Sequence, residues 1–251
     1  MNGPTNGRKY AVIILAAGKS SRCNTALVSR SELRGIERKK TFFPIIGSSA
    51  CLISLEAFAC REDVCQVILV VAPEDKDEVA KRYAEALEKY KVQLVFGGAE
   101  RFLSVENALR LVRSDADYIA VHDAARPCVS QREIDAVFLE ARQSGAAILA
   151  VPTVGALKRA RMDSDRVVVA SSEPRDGIWE AQTPQVFRRE LLFKAYRDRA
   201  REFAPLDDCG LVEALGVDVS MVRGDRRNIK ITSEDDLALV ETILKNAKSN
   251  A

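Results

Sequence analysis

Short runs of β-branched and other apolar residues alternate along the chain with longer segments in which apolar positions recur every three or four residues. The apolar runs lie at 11–15, 67–72, 92–96, 118–123 and 146–151. The segments with helical spacing lie at 74–90, 103–112, 131–142 and 233–247. Continuous apolar runs are typical of strands buried on both faces, and strands that alternate with helices form parallel sheets. The pattern therefore predicts one α/β domain over 1–251, Rossmann-like, with a mostly parallel twisted sheet flanked by helices.

Two segments interrupt this alternation. Residues 24–39 are polar, strongly basic and weakly periodic, which predicts a flexible loop. Residues from 152 to about 178 contain one strand-like run, RVVVA, among prolines and charged residues. This composition indicates an excursion away from the sheet, and arms of this kind often reach a partner subunit. We therefore expect a protruding β-arm at about 152–178 that serves dimerisation.

The charge balance argues against non-specific binding to large polyanions. The chain has 38 basic and 36 acidic side chains, a formal net charge of +2, which gives no field that would gather nucleic acid or a membrane surface. No apolar run approaches the roughly 20 residues that span a bilayer, and the first residues, MNGPTNGRK, lack the apolar core of a signal peptide. We expect a cytoplasmic protein that binds neither nucleic acid nor membranes.

Cysteine and histidine usage argues against zinc and against a disulfide framework. The six cysteines include no CxxC pair, and His122 is the single histidine. Free thiols in a reducing compartment are the expected state, with a redox role as the alternative.

The loop after the first strand, LAAGKSSRC, has features of a phosphate-binding turn. Gly18 allows a tight turn, and the small Ala16 and Ala17 let backbone N–H groups approach a triphosphate, whose charge Lys19 and Arg22 could neutralise. Ligands of parallel α/β sheets sit at the carboxyl ends of strands. The loop is neither a Walker A sequence nor a GxGxxG fingerprint, so an ordinary strand-to-loop turn remains the alternative.

Two further stretches add candidate nucleotide contacts. Lys40, in ERKKTFFPIIG, could swing its ammonium group toward the phosphates, although a single lysine is more often solvated, as we expect for Lys39. FGGAERFLSVENAL places Gly98 after a strand, and Arg101 and Ser104 on the opening turn of a helix. That position suits recognition of a base or ribose, or equally a glycine-rich turn with a helix cap.

The stretch VHDAARPCVS places an acid at the carboxyl end of a buried strand. Asp123 is there suited to hold Mg²⁺ against phosphate oxygens, because magnesium prefers one or two carboxylates plus substrate phosphates. His122 points to the opposite face, which favours a core or hydrogen-bonding histidine over a catalytic one. Arg126 follows ahead of a proline.

Three residues later in the chain complete the candidate set. EPRDGIWEAQTPQVF contains Arg175 and Thr183, and RRNIKITSEDD contains Lys230 just before the last helix, although each could be structural. These residues supply cations and a carboxylate, and one histidine gives little support for a Ser-His-Asp or Cys-His arrangement. The combination favours phosphoryl-type transfer by positioning and charge neutralisation.

The order of these motifs, LAAG followed by Arg, GGxER, HDAARP, AQTPQ and NIKIT, resembles the 2-C-methyl-D-erythritol 4-phosphate cytidylyltransferase family of isoprenoid biosynthesis, in the GT-A-like nucleotidyltransferase superfamily. The resemblance covers nearly the whole chain. It implies a homodimeric enzyme that uses CTP and Mg²⁺ to transfer CMP to 2-C-methyl-D-erythritol 4-phosphate, giving 4-diphosphocytidyl-2-C-methyl-D-erythritol and pyrophosphate.

The resemblance also implies a role for each candidate residue. The nucleotide would contact Ala16, Ala17, Gly18, Lys19, Gly98, Arg101 and Ser104. The catalytic residues, which would stabilise charge on the phosphates, are Arg22, Lys40 and Lys230. The acceptor would contact Asp123, Arg126, Arg175 and Thr183, with Asp123 also holding Mg²⁺. The 152–178 arm would reach across the dimer, so that some acceptor contacts come from the neighbouring subunit.

Departures from the family pattern leave alternatives open. Gly155 and Ala156 stand where the family usually has Asp-Thr at the acceptor-phosphate site, which makes ribitol 5-phosphate or another polyol phosphate a possible acceptor. A nucleotide-binding regulatory protein without turnover is an alternative of another class, motivated also by Ser20 and Ala99. A dinucleotide-dependent oxidoreductase is disfavoured, because the first loop lacks GxGxxG and no acid ends the second strand.

Overall fold

Eleven strands and eight helices form the part of the chain that the structure, a computed structural model, describes: residues 7–18, 35–200 and 203–249. The strands are β1 Tyr10–Leu15, β2 Pro44–Ile45, β3 Ser48–Ser49, β4 Val64–Val71, β5 Gln93–Phe96, β6 Tyr118–Asp123, β7 Ala146–Pro152, β8 Leu157–Asp163, β9 Arg166–Glu173, β10 Trp179–Arg188 and β11 Ser220–Arg223. The helices are α1 Ala50–Ala59, α2 Lys76–Arg82, α3 Ala84–Lys89, α4 Arg101–Leu109, α5 Gln131–Ser144, α6 Arg189–Arg197, α7 Asp208–Glu213 and α8 Glu234–Ser249. Short 3-10 helices cover Gly35–Arg38 and Pro73–Asp75.

Seven of the strands form one sheet, in the order β11-β7-β10-β6-β1-β4-β5. Strand β10 runs antiparallel to β6 and β7, and the other neighbouring strands pair in parallel. The predicted mostly parallel α/β sheet is therefore confirmed. Strand β10, the antiparallel member among the described strands of this sheet, was not predicted from the sequence.

Helices cover both faces of the sheet, and this explains the continuous apolar runs. On β1, Tyr10, Val12 and Ile14 face a core cluster that includes residues of α1 and α5. Ala11 and Ile13 face the second cluster, which includes residues of α4 and α6. Because alternate side chains of a strand point to opposite faces, both sets must be apolar when both faces are covered.

Two helix predictions need correction. Residues 74–90 form α2 and α3 and not one helix, because Tyr83 leaves the helical conformation (φ −109°, ψ 19°) between them. Its ring stacks on Phe42 with the ring centroids 6.2 Å apart. The predicted helix at 103–112 is α4, which begins and ends earlier. The predicted helices at 131–142 and 233–247 correspond to α5 and α8.

The two irregular segments have different structures. The predicted excursion contains β8 and β9, an antiparallel hairpin whose strands pair with each other and with no strand of the seven-stranded sheet in the described ranges. Of the predicted loop at 24–39, residues 24–34 lie outside the described residues. Residues 35–38 form a 3-10 helix whose Ile36 is buried in the core, so the loop prediction is wrong for this part. Among the helices described, none has the length and apolar character needed to cross a bilayer.

Candidate active site

A cavity of about 300 Å³ opens where the carboxyl ends of β1, β5 and β6 meet. Eight residues with predicted site roles line it: Ala17, Gly18, Lys40, Gly98, Arg101, Ser104, Asp123 and Lys230. Five further lining residues had been given no site role from the sequence: Leu15, Thr41, Ala99, Glu100 and Ala125. Segments from the beginning, the middle and the end of the chain thus converge on one space, as the βα connections of a parallel sheet allow.

The described part of the first loop forms one wall. Ala17 and Gly18 line the cavity, whereas Ala16, predicted to contact the nucleotide, does not. Ala16 is fully buried and its N–H donates to the Val70 carbonyl oxygen at 2.8 Å, because the chain still runs beside β4 at this point. Lys19 and Arg22 lie outside the described residues.

The turn from β5 into α4 is held against the first loop. The Gly98 N–H donates to Ser104 Oγ at 3.0 Å, and the Ser104 hydroxyl donates to the Glu100 carbonyl oxygen at 3.2 Å. A β-carbon at Gly97 would lie 2.3 Å from the Ala17 β-carbon, a distance that no side chain could adopt. Glycine at this position therefore lets the two cavity walls touch.

Lys40 lines the cavity, and its neighbour Lys39 does not. Lys39 Nζ lies 2.6 Å from the Asp75 carboxylate and 3.3 Å from that of Glu74, so it is paired on the side of the 3-10 helix and α2. Asp75 is buried, and its pairing fixes the backbone next to Lys40. Of the two lysines, Lys40 is therefore the one that a ligand in the cavity would meet.

Asp123 lies at the end of β6 between two cations. Lys230 Nζ is 2.6 Å from Asp123 Oδ2, and Arg101 Nε is 3.6 Å from Oδ1. Burial opposes ionisation of the Asp123 carboxyl, but Lys230 and Arg101 outweigh it and hold its pKa well below the usual range. The carboxylate thus stays charged at neutral pH.

The connection into α8 positions Lys230. The N–H of Ile231 donates to the Ala125 carbonyl oxygen at 2.9 Å, and the Ile231 side chain is fully buried among apolar residues of α8. Asp236 accepts the N–H groups of Thr232 and Ser233 at 2.7 and 2.8 Å, which fixes the start of the helix. Both attachments hold the Lys230 backbone against the segment that follows Asp123.

Strand β10 carries a bulge beside Asp123. Its pairing with β7 shifts between Ala181 and Gln185, and its pairing with β6 begins only at Gln185. The Asp123 N–H instead donates to Thr183 Oγ1 at 3.1 Å. The Thr183 hydroxyl oxygen thus takes the place of a backbone carbonyl of β10. The Asp123 N–H therefore has a hydrogen-bond partner although the backbone hydrogen bonds between β6 and β10 are interrupted at the bulge.

His122 connects Thr183 to Arg126. His122 Nε2 lies 3.2 Å from the Arg126 carbonyl oxygen, which can only accept, and Nδ1 lies 3.1 Å from Thr183 Oγ1. The neutral ring therefore carries its proton on Nε2, and the Thr183 hydroxyl donates to Nδ1. His122 is fully buried, so the prediction of a hydrogen-bonding core histidine is confirmed.

Arg126 and Thr183, predicted to contact the acceptor, lie behind Asp123 and do not line the cavity. Arg126 Nη1 donates to the Asn228 carbonyl oxygen at 2.7 Å, and burial lowers the pKa of Arg126. Asn228 in turn donates from Nδ2 to the Thr183 carbonyl oxygen at 2.9 Å. Both residues therefore contact the backbone behind Asp123 from within the protein, although the buried Nε of Arg126 has no hydrogen-bond partner among the described residues.

Arg175, also predicted to contact the acceptor, lies on the arm between β9 and β10. Its Nη1 donates to the Val154 carbonyl oxygen at 2.6 Å, and it does not line the cavity. Within this chain the structure does not bring Arg175 together with Asp123 and Lys230.

Asp208, at the start of α7, was given no site role from the sequence. It is fully buried, and its Oδ2 accepts from Arg101 Nη1 at 2.7 Å. The sequence signal that could have identified it is the pair Asp207-Asp208, because only the first acid is needed to cap α7. A second carboxylate in a buried turn implies a cationic partner.

We expect acid to destabilise the fold through His122. Burial is the main cause that lowers its pKa to about 4, against about 6.5 in the unfolded chain. Between pH 4 and pH 6.5 His122 is therefore protonated in the unfolded chain and neutral in the folded one. The free energy of unfolding that depends on the neutral ring is fully present above pH 6.5 and is lost as the pH falls toward 4. We expect the free energy of unfolding to fall by about 2 kcal/mol more between pH 7.5 and pH 5 than in His122→Asn. Urea denaturation at both pH values measures this, and equal losses in the two proteins would contradict it.

The chain matches a protein-family model over most of its length. Residues 10–246 match the model of 2-C-methyl-D-erythritol 4-phosphate cytidylyltransferase. Proteins of that name from Dechloromonas aromatica and Solibacter usitatus are 39% and 37% identical to the chain. The first alignment covers 96% of this chain and 99% of the relative, and the second covers 94% and 96%.

Solved structures give the same result for the fold. The 4-diphosphocytidyl-2C-methyl-D-erythritol synthase of Anaerococcus prevotii superposes with a TM-score of 0.75 at 26% identity, covering 96% of this chain and all of that one. The cytidylyltransferase of Thermus thermophilus gives a TM-score of 0.72 at 28% identity, covering 93% and 98%. The resemblance seen in the motifs is confirmed: the chain belongs to the 2-C-methyl-D-erythritol 4-phosphate cytidylyltransferase family.

Proposed function

We propose that the protein transfers CMP from CTP to 2-C-methyl-D-erythritol 4-phosphate, giving 4-diphosphocytidyl-2-C-methyl-D-erythritol and pyrophosphate for isoprenoid synthesis. The observation that carries this proposal is the cavity, in which Arg101 and Lys230 flank the carboxylate of Asp123, and Lys40 and the loop after β1 line the same space. Full-length relatives of that name support the choice of substrates.

The reaction needs no general base. A phosphate monoester has a second pKa near 6, so the acceptor is mostly dianionic at neutral pH. One of its oxygens forms a bond to the α-phosphorus of CTP while the bond from that phosphorus to the bridging oxygen breaks, and pyrophosphate leaves. His122 takes no part in proton transfer, because it is buried and both ring nitrogens are hydrogen-bonded within the protein.

Lys40 and Lys230 stabilise the charge that moves during transfer. An ammonium group neutralises equatorial and leaving oxygens without exchanging protons, and held charges in a partly desolvated site are worth more than in water. Lys230 is fixed by its contact with Asp123 and by the anchored segment that precedes α8. Its ammonium group therefore needs little reorganisation when a phosphate binds.

Asp123 fits a magnesium site of the kind used with nucleotides. Magnesium ions bind through one or two carboxylates together with phosphate oxygens and water, and Asp123 is an ionised carboxylate at the cavity wall. We propose that Asp123 holds Mg²⁺ with the phosphates of CTP. The ion would supply charge neutralisation at the pyrophosphate leaving group.

We also propose a homodimer formed through the arm. The β8–β9 hairpin exposes large apolar side chains: Met162 is 65% exposed, Val167 is 71% and Val169 is 62%. Apolar side chains grouped on one projecting hairpin mark an interaction surface. Light scattering is expected to give twice the chain mass for the wild type and the chain mass for Val167→Asp with Val169→Asp. A monomeric wild type would contradict the proposal.

A cytoplasmic location agrees with this function. The described cysteines Cys51, Cys60, Cys65, Cys128 and Cys209 are free thiols, which suits a reducing compartment.

The residues at 155–156 are the reason to consider a second acceptor substrate. Gly155 and Ala156, within the arm, provide no hydroxyl or carboxylate, and a β-carbon at Gly155 would meet nothing within 4 Å. An acceptor of different shape, such as ribitol 5-phosphate, is therefore the second candidate. A nucleotide-binding protein without turnover is the alternative of another class.

One assay distinguishes these functions. Pyrophosphate release is measured with CTP and Mg²⁺ and with methylerythritol phosphate, ribitol phosphate or no acceptor. We expect release with methylerythritol phosphate only. Release with ribitol phosphate only would support the related transferase. CTP binding by calorimetry without any release would support the regulatory protein.

A further inference from the structure

Arg101 lines the cavity and is held by a group that lies outside it. It begins α4 and lies between two carboxylates, with Nη1 2.7 Å from Asp208 Oδ2 and Nε 3.6 Å from Asp123 Oδ1. The first distance is a charge-assisted hydrogen bond, and the second is too long for one. The firm attachment of Arg101 is therefore to Asp208.

Asp208 cannot contact a substrate itself. Its side chain is fully buried and it does not line the cavity. A buried carboxylate needs a cation and hydrogen-bond donors to remain charged. Arg101 supplies the cation, and the Tyr196 hydroxyl donates to Asp208 Oδ1 at 2.6 Å.

The backbone of Asp208 is fixed as well. The N–H groups of Asp208 and Cys209 donate to Gln185 Oε1, each at 3.1 Å, and Gln185 Nε2 donates to Asp207 Oδ2 at 2.8 Å. Gln185 belongs to β10, so the start of α7 is tied to the central sheet. Each oxygen of the Asp208 carboxylate accordingly has one donor in a defined position.

We propose that Asp208, held by Tyr196, is a positioning residue that orients the Arg101 guanidinium for the nucleotide. This inference rests on the proposed function. A guanidinium has five N–H donors in a rigid plane, and fixing one of them on Asp208 sets the direction of the others. The nucleotide then meets a donor group that is already oriented, which reduces the cost of ordering Arg101 on binding.

Calorimetry with CTP and Mg²⁺ tests the proposal on the full chain. Asp208→Asn keeps the shape of the side chain and removes its charge, and we expect it to weaken CTP binding and to raise the KM for CTP about ten-fold. Tyr196→Phe keeps the ion pair and removes one hydrogen bond, and we expect a weakening of about three-fold. If Asp208→Asn folds and its CTP affinity is unchanged, the proposal is overturned. If Asp208→Asn does not fold, unchanged CTP affinity in Tyr196→Phe overturns it.

A double-mutant cycle separates positioning from general stability. If Asp208 acts through Arg101, then Asp208→Asn has no further effect on CTP affinity in an Arg101→Met background. An undiminished effect there would overturn the proposal. Ser130→Ala is the matched structural control, because it removes the cap of α5, where Ser130 Oγ accepts the Glu133 N–H at 3.3 Å and takes no part in holding Asp208. We expect it to lower stability and to leave CTP affinity within two-fold.

Failure of this proposal differs from failure of the proposed function. A wild-type protein that binds CTP but releases no pyrophosphate with any acceptor overturns only the function. A wild-type protein that binds no CTP overturns both.

Discussion

Replacing Lys230 with glutamine is expected to lower kcat/KM for CMP transfer by about a hundred-fold or more. The ammonium group lies 2.6 Å from Asp123 and lines the cavity, so the substitution removes a fixed charge from the transferring phosphates. Loss of one such donor commonly costs a hundred- to a thousand-fold in rate. Steady-state pyrophosphate release at varied CTP measures the effect.

Lys245→Gln is the matched control for this prediction. Lys245 belongs to α8, which follows Lys230, and its contact with Glu241 is long, at 3.9 Å, and exposed. Exposed ion pairs of this kind contribute little, so this variant keeps wild-type kinetics. A Lys230→Gln enzyme with more than a tenth of the wild-type kcat/KM would exclude the assigned role.

Asp123→Asn is expected to lower kcat/KM by about a thousand-fold while changing the free energy of unfolding by less than about 2 kcal/mol. The carboxylate is the proposed magnesium ligand, so its loss removes both the ion and the partner of Lys230. The fold tolerates the change because Lys230 is 36% exposed and can be hydrated, and Arg101 keeps Asp208. Kinetics and urea denaturation on the same preparation measure the two effects.

Asp115→Asn is the matched control for Asp123→Asn, because it removes a carboxylate near the end of β6 that lies away from the cavity. Asp115 precedes the opposite end of β6 and pairs with Arg113 and Lys9 at the surface. We expect unchanged kinetics for this variant. If Asp123→Asn unfolded the protein, its effect on activity would reflect structure and the catalytic assignment would be withdrawn.

The parallel strands could be predicted because both of their faces are covered. Runs such as AVIIL in β1 must then be apolar throughout, which is an unambiguous local signal. Strand β10 gives no such signal, because Gln182, Thr183 and Gln185 are buried and polar. Thr183 accepts the Asp123 N–H, and Gln185 accepts the Asp208 N–H at the start of α7. Helix α1 was missed for the opposite reason, since its mostly apolar sequence shows little periodicity.

The sequence motifs predicted which segments form the candidate site, but they predicted the positions of individual side chains less well. Each motif follows a strand or precedes a helix, and the topology brings those ends together. The direction of a side chain cannot be read from a motif, which is why Arg126 and Thr183 were expected at the acceptor and instead lie behind Asp123. The choice between Lys39 and Lys40 likewise depended on Asp75, which lies far along the chain.

Strand β10 joins the arm to the candidate active site. It is ten residues long, Trp179–Arg188, and runs from the base of the arm past the bulge beside Asp123. Its first residues pair with the end of β7 at the base of the arm, and its middle carries the Thr183 hydroxyl that binds the Asp123 backbone. The same strand thus connects the arm to the backbone of Asp123, the residue proposed to hold magnesium. Substitutions in this strand should accordingly change subunit association and turnover together.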